Sequence, residues 1–496
     1  MTCAAYHGKM VLLSVLLACS SVVSSIGCGG SQVGPGPSGK TMPGALQLSP
    51  AVVNLVQGDS VHFALSTDEI AFNPSNCIWQ AVDTIVSSKG NGEFVGTGIG
   101  SSSIEATCDG NSASASVLVS PATNPNAIRI TSGGTYSGNW SSTDPKVPAV
   151  MILTNEPVVV RNSTITSRGN LIVIYGSQGG ANVTIDNVTG TALDPGVAGQ
   201  GRGKFLGAEV MSRLAVTHCT MHGVSFGVYV ATSKLTSLTI RDNVADNLDD
   251  RKSNGHGGYL LNQRVLGHFI QLNSVSLPNG AEIAWNQMTN SLGAASVEDV
   301  ISFYQSRGSA EKPIVVHDNY LQGAFAEGQT TWYTGGGIQM DGASEDPMTA
   351  TGFVQISHNR IVQTANYGIS IGAGHDITVT DNRIVSCGKD STGRWLASQG
   401  GSALILWNYY QTSQFYNNSI SSNSGGLVRQ DANGQPENSE MYVPSVSATL
   451  HNVVSNNPFE HPCWVNGLLS QAAEAAERVS WNIQVRESGE MLGDQH

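Results

Sequence analysis

Two related stretches decide the fold of this chain: Val354-Gln-Ile-Ser-His-Asn359-Arg-Ile361 and Ile377-Thr-Val-Thr-Asp-Asn382-Arg-Ile384. In each, apolar and polar residues alternate as in a β-strand with one buried face. An Asn follows, and a second short apolar run begins. The two asparagines lie 23 residues apart, and 25 residues separate Asn162 from Asn187 in an earlier copy. The chain is therefore built from short repeats.

The repeat predicts a right-handed parallel β-helix over residues 125–466. Asn tolerates the left-handed backbone of a tight turn, and stacked copies let its amide hydrogen-bond from coil to coil. A Gly-led apolar strand precedes many copies, at 227–230, 258–261, 337–340, 368–371 and 403–406. The alternatives are a β-propeller and an array of β-sandwiches. Propeller blades are longer and carry hairpin turns, which these units lack.

Composition supports a β-rich protein and limits its partners. The chain has 496 residues, of which 57 are Gly, too many for a mostly helical protein. Its 24 Lys and Arg against 37 Asp and Glu give a formal charge of −13. Without a basic stripe to neutralise phosphates, nucleic acid is not expected as a partner. Residues 467–478 form the best helical stretch, expected to cap the last coil, with a loose polar tail to 496.

The N-terminus has the pattern of an export signal. A single charge, Lys9, precedes the apolar run 10–18, so residues 1–27 are expected to be a signal peptide. Residues 28–44 are rich in Gly, Ser and Pro, which is typical of a flexible tether. The segment resembles a bacterial lipoprotein leader, which implies lipidation at Cys28, with Cys19 as the alternative, and anchoring at the cell envelope (outer membrane or cell surface). An ordinary cleaved signal is the other interpretation.

Residues 45–120 contain several short apolar runs separated by turns, a pattern that predicts a small β-sandwich. In an exported protein Cys77 and Cys108 are expected to form a disulfide, and Cys219, Cys387 and Cys463 to be buried thiols. The stretch resembles a bacterial immunoglobulin-like domain of the Big-2 type in its Gly58-Asp59, Trp79 and Gly96-Thr-Gly98. That resemblance implies a spacer or stalk in which the disulfide joins two sheets.

Strand periodicity indicates which side chains leave the β-helix core. With the aliphatic residues of each strand inside, an outward column contains Glu282, Tyr304, Asp341 and Trp407. Acids in adjoining loops are expected to join this column: Asp249, Asp250, Glu298 and Asp299. Carboxylates held close together raise one pKa or recruit a cation such as calcium. Asp299 is the first choice for a catalytic or metal-binding acid, with Glu298 and Glu282 next.

Several nearby side chains are candidates for holding a substrate. Tyr304 and Trp407 offer flat surfaces on which sugar rings stack, while Lys252, Arg264 and His256 could bind a sugar carboxylate, as could Arg251 and His268. Each of these charged residues also has an ordinary explanation as a solvated loop residue.

From residue 125 to its end, the chain is similar to the pectate-lyase-like superfamily of right-handed β-helix proteins, through the repeats at 354–361 and 377–384. The resemblance implies a surface protein that acts on polysaccharide in a groove along the Gly-led strands, as a lyase or a glycoside hydrolase. The superfamily also contains surface proteins without enzymatic activity. A non-catalytic adhesin or glycan-binding lipoprotein is therefore the alternative.

Overall fold

The computed structural model describes residues 46–66, 77–98, 100–108, 111–120, 126–176, 180–231, 235–326, 334–390, 392–397, 401–444 and 451–494. The expected signal peptide, the tether and Cys28 lie outside these residues. The described part of the chain is all-β with one helix, as the alternating pattern predicts. No described helix is long and apolar enough to cross a membrane.

The first described segment forms small sheets around one core. Its strands are β1 (Gln47–Ser49), β2 (Val52–Val56), β3 (Ser60–His62), β4 (Ala64–Ser66), β5 (Ile78–Ala81), β6 (Val86–Gly90), β7 (Glu93–Gly96), β8 (Gly100–Cys108) and β9 (Asn111–Ser120). The sheets have the orders β2-β9-β8-β5, β3-β7-β6 and β1-β4. Phe63, Phe94 and Ile104 are buried in their shared core. The immunoglobulin-like assignment stays a prediction.

A disulfide joins Cys77 to Cys108 in this segment. Cys77 directly precedes β5 and Cys108 ends β8, and these two strands are antiparallel neighbours. The bridge therefore links adjacent strands of one sheet. The expectation that it joins two sheets is wrong, because both cysteines lie on the same side of the core.

The remaining strands follow in chain order. They are β10 (Ile128–Ile130), β11 (Gly134–Tyr136), β12 (Asn139–Ser142), β13 (Val150–Ile152), β14 (Val158–Ser167), β15 (Ile172–Tyr175), β16 (Ala181–Ala192), β17 (Leu206–Thr217), β18 (Thr220–His222), β19 (Val228–Val230), β20 (Ser237–Arg241), β21 (Val244–Asp246), β22 (Arg251–Ser253), β23 (Tyr259–Arg264), β24 (Ile270–Asn273), β25 (Ala281–Ala284), β26 (Gln287–Thr289), β27 (Asp299–Tyr304), β28 (Ile314–His317), β29 (Tyr320–Ala324), β30 (Gly336–Asp341), β31 (Gly352–Ser357), β32 (Arg360–Thr364), β33 (Ile369–Ile371), β34 (His375–Thr380), β35 (Arg383–Ser386), β36 (Leu404–Leu406), β37 (Ser419–Ser421), β38 (Ser424–Gln430), β39 (Pro436–Asn438), β40 (Met441–Tyr442), β41 (Val453–Ser455), β42 (Trp464–Val465) and β43 (Leu468–Leu469).

Most of these strands stack into three parallel sheets that together form a parallel β-helix. Sheet 1 contains β10, β13, β15, β17, β19, β24, β27, β30, β33, β36 and β40. Sheet 2 contains β11, β14, β16, β17, β20, β25, β28, β31, β34, β37 and β41. Sheet 3 contains β12, β14, β16, β18, β21, β26, β29, β32, β35 and β38.

Columns of aliphatic side chains fill the β-helix. In sheet 1, strand pairing aligns Ile270, Ile301, Ile338, Ile369 and Leu404, all of them fully buried. Burial of one such side chain contributes about 1.5–3 kcal/mol. The strict register fixes which side chains between the aliphatic positions point outward.

An asparagine ladder runs between sheets 2 and 3, and the prediction for Asn359 and Asn382 is confirmed. Asn359 Nδ2 donates to Asn382 Oδ1 at 2.9 Å. The left-handed residue is the one before each ladder position, for example His358 with φ 57°. Asn162 and Asn187 occupy this left-handed column (φ 49° and 55°), one position away from the ladder in which they were expected.

Helix α1 (Ala472–Ser488) lies against the outer face of sheet 3 and contacts β32 and β35. Trp481 is buried there and stacks on Trp285 and Tyr320. The expectation of a cap over the last coil is wrong, because the buried face of the helix, which carries Glu474, Glu477 and Trp481, packs on the side of the β-helix. The tail beyond it is held, since the Gly493 N–H donates to the carbonyl of Asp242 at 2.8 Å.

A second disulfide joins Cys387 to Cys463, which were expected to be free thiols. The bridge ties the segment before α1 to the turn that follows β35. The structure corrects the expectation because the coils bring together cysteines that lie 76 residues apart in sequence. Cys219 is free and buried.

Candidate functional site

A groove of about 410 Å³ lies on the outer face of sheet 1. It is floored by side chains that alternate with the buried aliphatic columns of β24, β27 and β30. Its lining includes Lys204, Tyr229, His268, Glu298, Asp299, Tyr304 and Asp341. We call this feature the sheet 1 groove. It brings together five of the residues expected at the site: His268, Glu298, Asp299, Tyr304 and Asp341.

Asp299 lies at the centre of the acidic group. It begins β27 and is only 4% exposed. Burial raises its pKa well above the ordinary value for Asp, and the adjacent charge of Glu298 raises it further. The hydroxyl of Tyr367 donates a 2.5 Å hydrogen bond to Asp299 Oδ1. A buried carboxyl of this kind keeps its proton at a higher pH than an exposed one.

His268 links the two neighbouring acids. Its Nδ1 donates to the backbone carbonyl of Asp299 at 3.0 Å, and its Nε2 lies 3.3 Å from Glu298 Oε2, an ion-pair distance. Burial lowers the pKa of His268, but the combined interactions with Glu298 and Asp299 outweigh burial and the net shift is upward. Both ring nitrogens face oxygen acceptors, which favours the imidazolium form. His268 therefore places a positive charge 3.3 Å from Glu298 Oε2.

Asp341 ends β30 in the next coil of the same sheet, where its register partner is Tyr304, at the opposite end of β27 from Asp299. Tyr410 donates to Asp341 Oδ1 at 2.5 Å. Burial raises the pKa of Asp341, although the rise is smaller than for Asp299, and the hydrogen bond from Tyr410 opposes it. Two carboxyls in one groove therefore have pKa values that are raised to different extents.

Aromatic side chains extend the groove toward the later coils. Trp407 is 39% exposed and meets Tyr409 and Tyr442 edge to face, with ring centroids 4.6 and 5.5 Å apart. Tyr304 is 36% exposed and is the register partner of Asp341. Exposed rings beside polar groups are suited to stacking on sugar rings.

Glu282 does not belong to the site, and its expected place in the column is wrong. It lies on β25 in sheet 2, where it accepts from Arg241 at 3.2 Å and lies 3.4 Å from His317. Sheets 1 and 2 share the same alternating pattern, so periodicity alone could not assign the strand to its sheet.

The expected acids Asp249 and Asp250 are held in buried ion pairs. Arg251 Nε donates to Asp249 Oδ1 at 2.6 Å, and Arg264 Nε donates to Asp250 Oδ1 at 2.9 Å. Both guanidiniums are therefore engaged in ion pairs within the protein. Arg264, which was expected to bind a sugar carboxylate, does not offer its charge to a ligand. Pairing of this kind balances the cost of burying each charge.

The expected Gly-led strand at 258–261 is not a coil of the β-helix. Strands β22 and β23 form an antiparallel hairpin, and β24 takes the place in sheet 1. Lys252 lies on this hairpin and His256 lies in its turn. The described residues that line the sheet 1 groove include neither Lys252 nor His256. They also do not include Asp249, Asp250 or Arg264.

Sequence reasoning did not select Tyr367, Tyr410 or Lys204. A usable signal was present for Tyr367, because it directly precedes Gly368 of a Gly-led strand. Phe226 stands in the same place before Gly227, and both side chains lie at the groove. Tyr410 lies in a turn after β36, where no repeat marks its position.

No group of three or more His, Cys, Asp or Glu residues in the described ranges has a geometry that could hold a metal ion. Asp299 and Asp341 each accept a tyrosine hydroxyl. The calcium ion considered from the sequence stays a prediction.

No family model and no curated protein matches the chain. The fold and the groove define its class: an all-β protein with a long parallel β-helix and a cluster of acids and aromatic rings on the open face of sheet 1.

Proposed function

We propose that the protein is a glycoside hydrolase that cleaves a polysaccharide bound along the sheet 1 groove. The observation that carries the proposal is the presence of Asp299 and Asp341 in one groove, at the start of β27 and at the end of the neighbouring strand β30, with unequally raised pKa values. Hydrolysis of a glycosidic bond uses one carboxyl as an acid and a second as a base or nucleophile. Pairs of carboxyls whose surroundings separate their pKa values are suited to these roles.

In this proposal Asp299 donates the proton to the glycosidic oxygen. Its burial keeps it protonated at a pH where Asp341, with the smaller rise, has ionised. Asp341 then activates water or attacks the sugar. Tyr304 and Trp407 support sugar rings on either side of Asp341 along sheet 1. Glu298 is held by His268 and contributes negative charge beside the developing oxocarbenium ion.

A lyase is the second candidate, because elimination from a uronate needs a cation to neutralise the sugar carboxylate, and Lys204 in the lining of the groove offers one. Arg264 is paired with Asp250, away from the groove. We also propose, from the leader pattern, that the protein is exported and anchored at the cell envelope through Cys28. Membrane fractionation of the wild type and Cys28→Ser tests this, and equal membrane retention of both would contradict it.

The test of hydrolysis is a screen of purified protein on neutral and uronate polysaccharides. New reducing ends report hydrolysis, and absorbance near 235 nm (roughly where unsaturated uronates absorb) reports elimination. Asp299→Asn should lower kcat at least about 100-fold with little change in KM, as expected for a positioned acid. Glu282→Gln is the matched control on sheet 2 and should leave activity unchanged. Glycan binding without turnover, unaffected by Asp299→Asn, would favour the adhesin instead.

A further inference from the structure

Position 336 carries no side chain, and this opens a slot beside Asp299. Gly336 is the register partner of Asp299 in the neighbouring strand. A Cβ at Gly336 would lie 2.4 Å from Asp299 Oδ1 and 2.3 Å from Tyr367 Cε2. Real Cβ atoms do not approach other atoms so closely. The tyrosine ring therefore crosses the intervening coil through space that a larger residue would occupy.

We propose that Gly336 and Tyr367 form a positioning support for Asp299, which fixes the carboxyl in the groove and leaves Oδ2 as the oxygen that carries its transferable proton. The use of that proton rests on the proposed hydrolase function. The support itself rests only on contacts within the chain. Tyr367 does not reach substrate in this proposal and is a positioning residue.

The chemistry of the contact assigns the proton. The Tyr367 hydroxyl donates to Oδ1, so a lone pair of Oδ1 is engaged as an acceptor. When Asp299 is neutral, its own proton is then better placed on Oδ2, which accepts no hydrogen bond from the described residues. Tyr367 is buried and its ring fills the slot, so the carboxyl cannot rotate freely.

Other charged and titratable groups also face Asp299. They are Glu298 and His268 on its own side, Asp341 on the next coil, and Tyr409 from the turn after β36. Glu298 and Asp341 raise its pKa, whereas His268 and the Tyr367 hydrogen bond lower it. A variant that removes only the Tyr367 hydroxyl keeps the other four groups and isolates the contribution of this hydroxyl to the pKa of Asp299.

Tyr367→Phe tests the support. Loss of a donor that favours the carboxylate should raise the pKa of Asp299 by about one unit, the equivalent of one hydrogen bond to a charged group. The alkaline limb of kcat/KM should move upward by the same amount, and kcat should fall about 10-fold with KM unchanged. Tyr320→Phe removes a buried hydroxyl in sheet 3 and should change neither quantity.

Gly336→Ala tests the slot independently. The new methyl should displace the Tyr367 ring and raise the pKa of Asp299 as Tyr367→Phe does. In the Gly336→Ala background, Tyr367→Phe should move the pKa no further. Gly207→Ala is the control on the same sheet, since a Cβ there would meet only Lys204 Cδ, at 3.7 Å.

The pKa of Asp299 is read without activity by isotope-edited infrared titration, as the carboxyl band that disappears in Asp299→Asn. A raised value in Tyr367→Phe supports the inference even if no polysaccharide is cleaved, in which case only the proposed function fails. An unchanged value in Tyr367→Phe overturns the inference even if the wild type is an active hydrolase.

Discussion

The ladder asparagines show how a buried polar residue can stabilise a β-helix. Asn359 is fully buried, and its Nδ2 donates to Asn382 Oδ1 and to the backbone carbonyl of Val316. Its Oδ1 accepts from the backbone N–H of Asn319. The side chain thus satisfies two backbone groups of the preceding coil, which would otherwise be buried without partners, and bonds the side chain of Asn382 in the next coil.

Replacing Asn359 with Leu should lower the free energy of unfolding by about 1–3 kcal/mol, because buried backbone groups lose their partners. Thermal unfolding measures the change. His358→Gly is the control, since His358 is exposed and lies in the left-handed column (φ 57°), a backbone conformation that glycine adopts without strain. Equal melting temperatures for the wild type and Asn359→Leu would contradict the structural role of the ladder.

A second prediction for single residues concerns the pH dependence of activity that Asp341 and Asp299 would produce as a catalytic pair. If Asp341 must be ionised and Asp299 protonated, kcat/KM should follow a bell-shaped pH profile. Activity should rise as pH increases through the pKa of Asp341 and fall through that of Asp299. Asp341→Asn should abolish the acidic limb and lower kcat at least about 100-fold. A profile whose acidic limb survives in this variant would assign the base to another residue.

Single residues were predictable from the sequence to differing degrees, for physical reasons. Asp341 was found because strand alternation turns it outward once the aliphatic column is known, and Asp299 because its acidic loop segment runs directly into the Ile301 strand. Glu282 was misplaced because three sheets share one periodicity. The pairing of Cys387 with Cys463 depends on where coils and the C-terminal segment meet, which no local pattern records.

At the scale of elements, the hairpin β22–β23 shows why a good local pattern can mislead. Gly258-Tyr-Leu-Leu261 has the composition of a coil strand, yet Leu261 is 73% exposed. The residues that flank this strand favour a hairpin instead of a coil, because Asp250 and Arg264 pair across the base of the hairpin. That long-range ion pair holds the segment away from the stack, so β24 continues sheet 1 instead.

Helix α1 contains a buried acid that makes stability depend on pH. Burial raises the pKa of Glu474 to about 7, although it accepts from the backbone N–H of Cys387. Its stabilising contribution is therefore complete below the unfolded-state pKa near 4.5 and is lost as pH rises toward 7. Glu474→Gln should raise the free energy of unfolding at pH 8 by up to roughly 2–3 kcal/mol, and the melting temperature with it. Near pH 4 the substitution should leave both quantities unchanged. A stabilisation that is the same at both pH values would contradict ionisation as the cause.

At the scale of the whole molecule, the two outer faces of the β-helix are used differently. Helix α1 covers sheet 3, and Glu477 pairs there with Arg360 and Arg383 of successive coils. Sheet 1 instead leaves its groove open, with Asp299 and Tyr304 in its lining. Side chains on one face therefore serve packing, while those on the other remain available to a ligand.

The covering of sheet 3 leads to the last prediction. Trp481 is fully buried, stacks on Trp285 and Tyr320 with centroids 5.8 Å from each, and donates its indole N–H to Gln287 Oε1 at 3.0 Å. Because α1 joins several coils, its loss should weaken their mutual support in a fold that otherwise depends on contacts between neighbouring coils.

Trp481→Ala should cost about 3–5 kcal/mol of unfolding free energy and broaden or split the unfolding transition in calorimetry. Val479→Ala, at a position 60% exposed on the same helix, is the matched control and should unfold like the wild type. Since α1 lies on sheet 3, glycan binding or cleavage at sheet 1 should be retained below the transition. A single, unshifted transition in Trp481→Ala would show that the coils do not depend on α1 for their cooperativity.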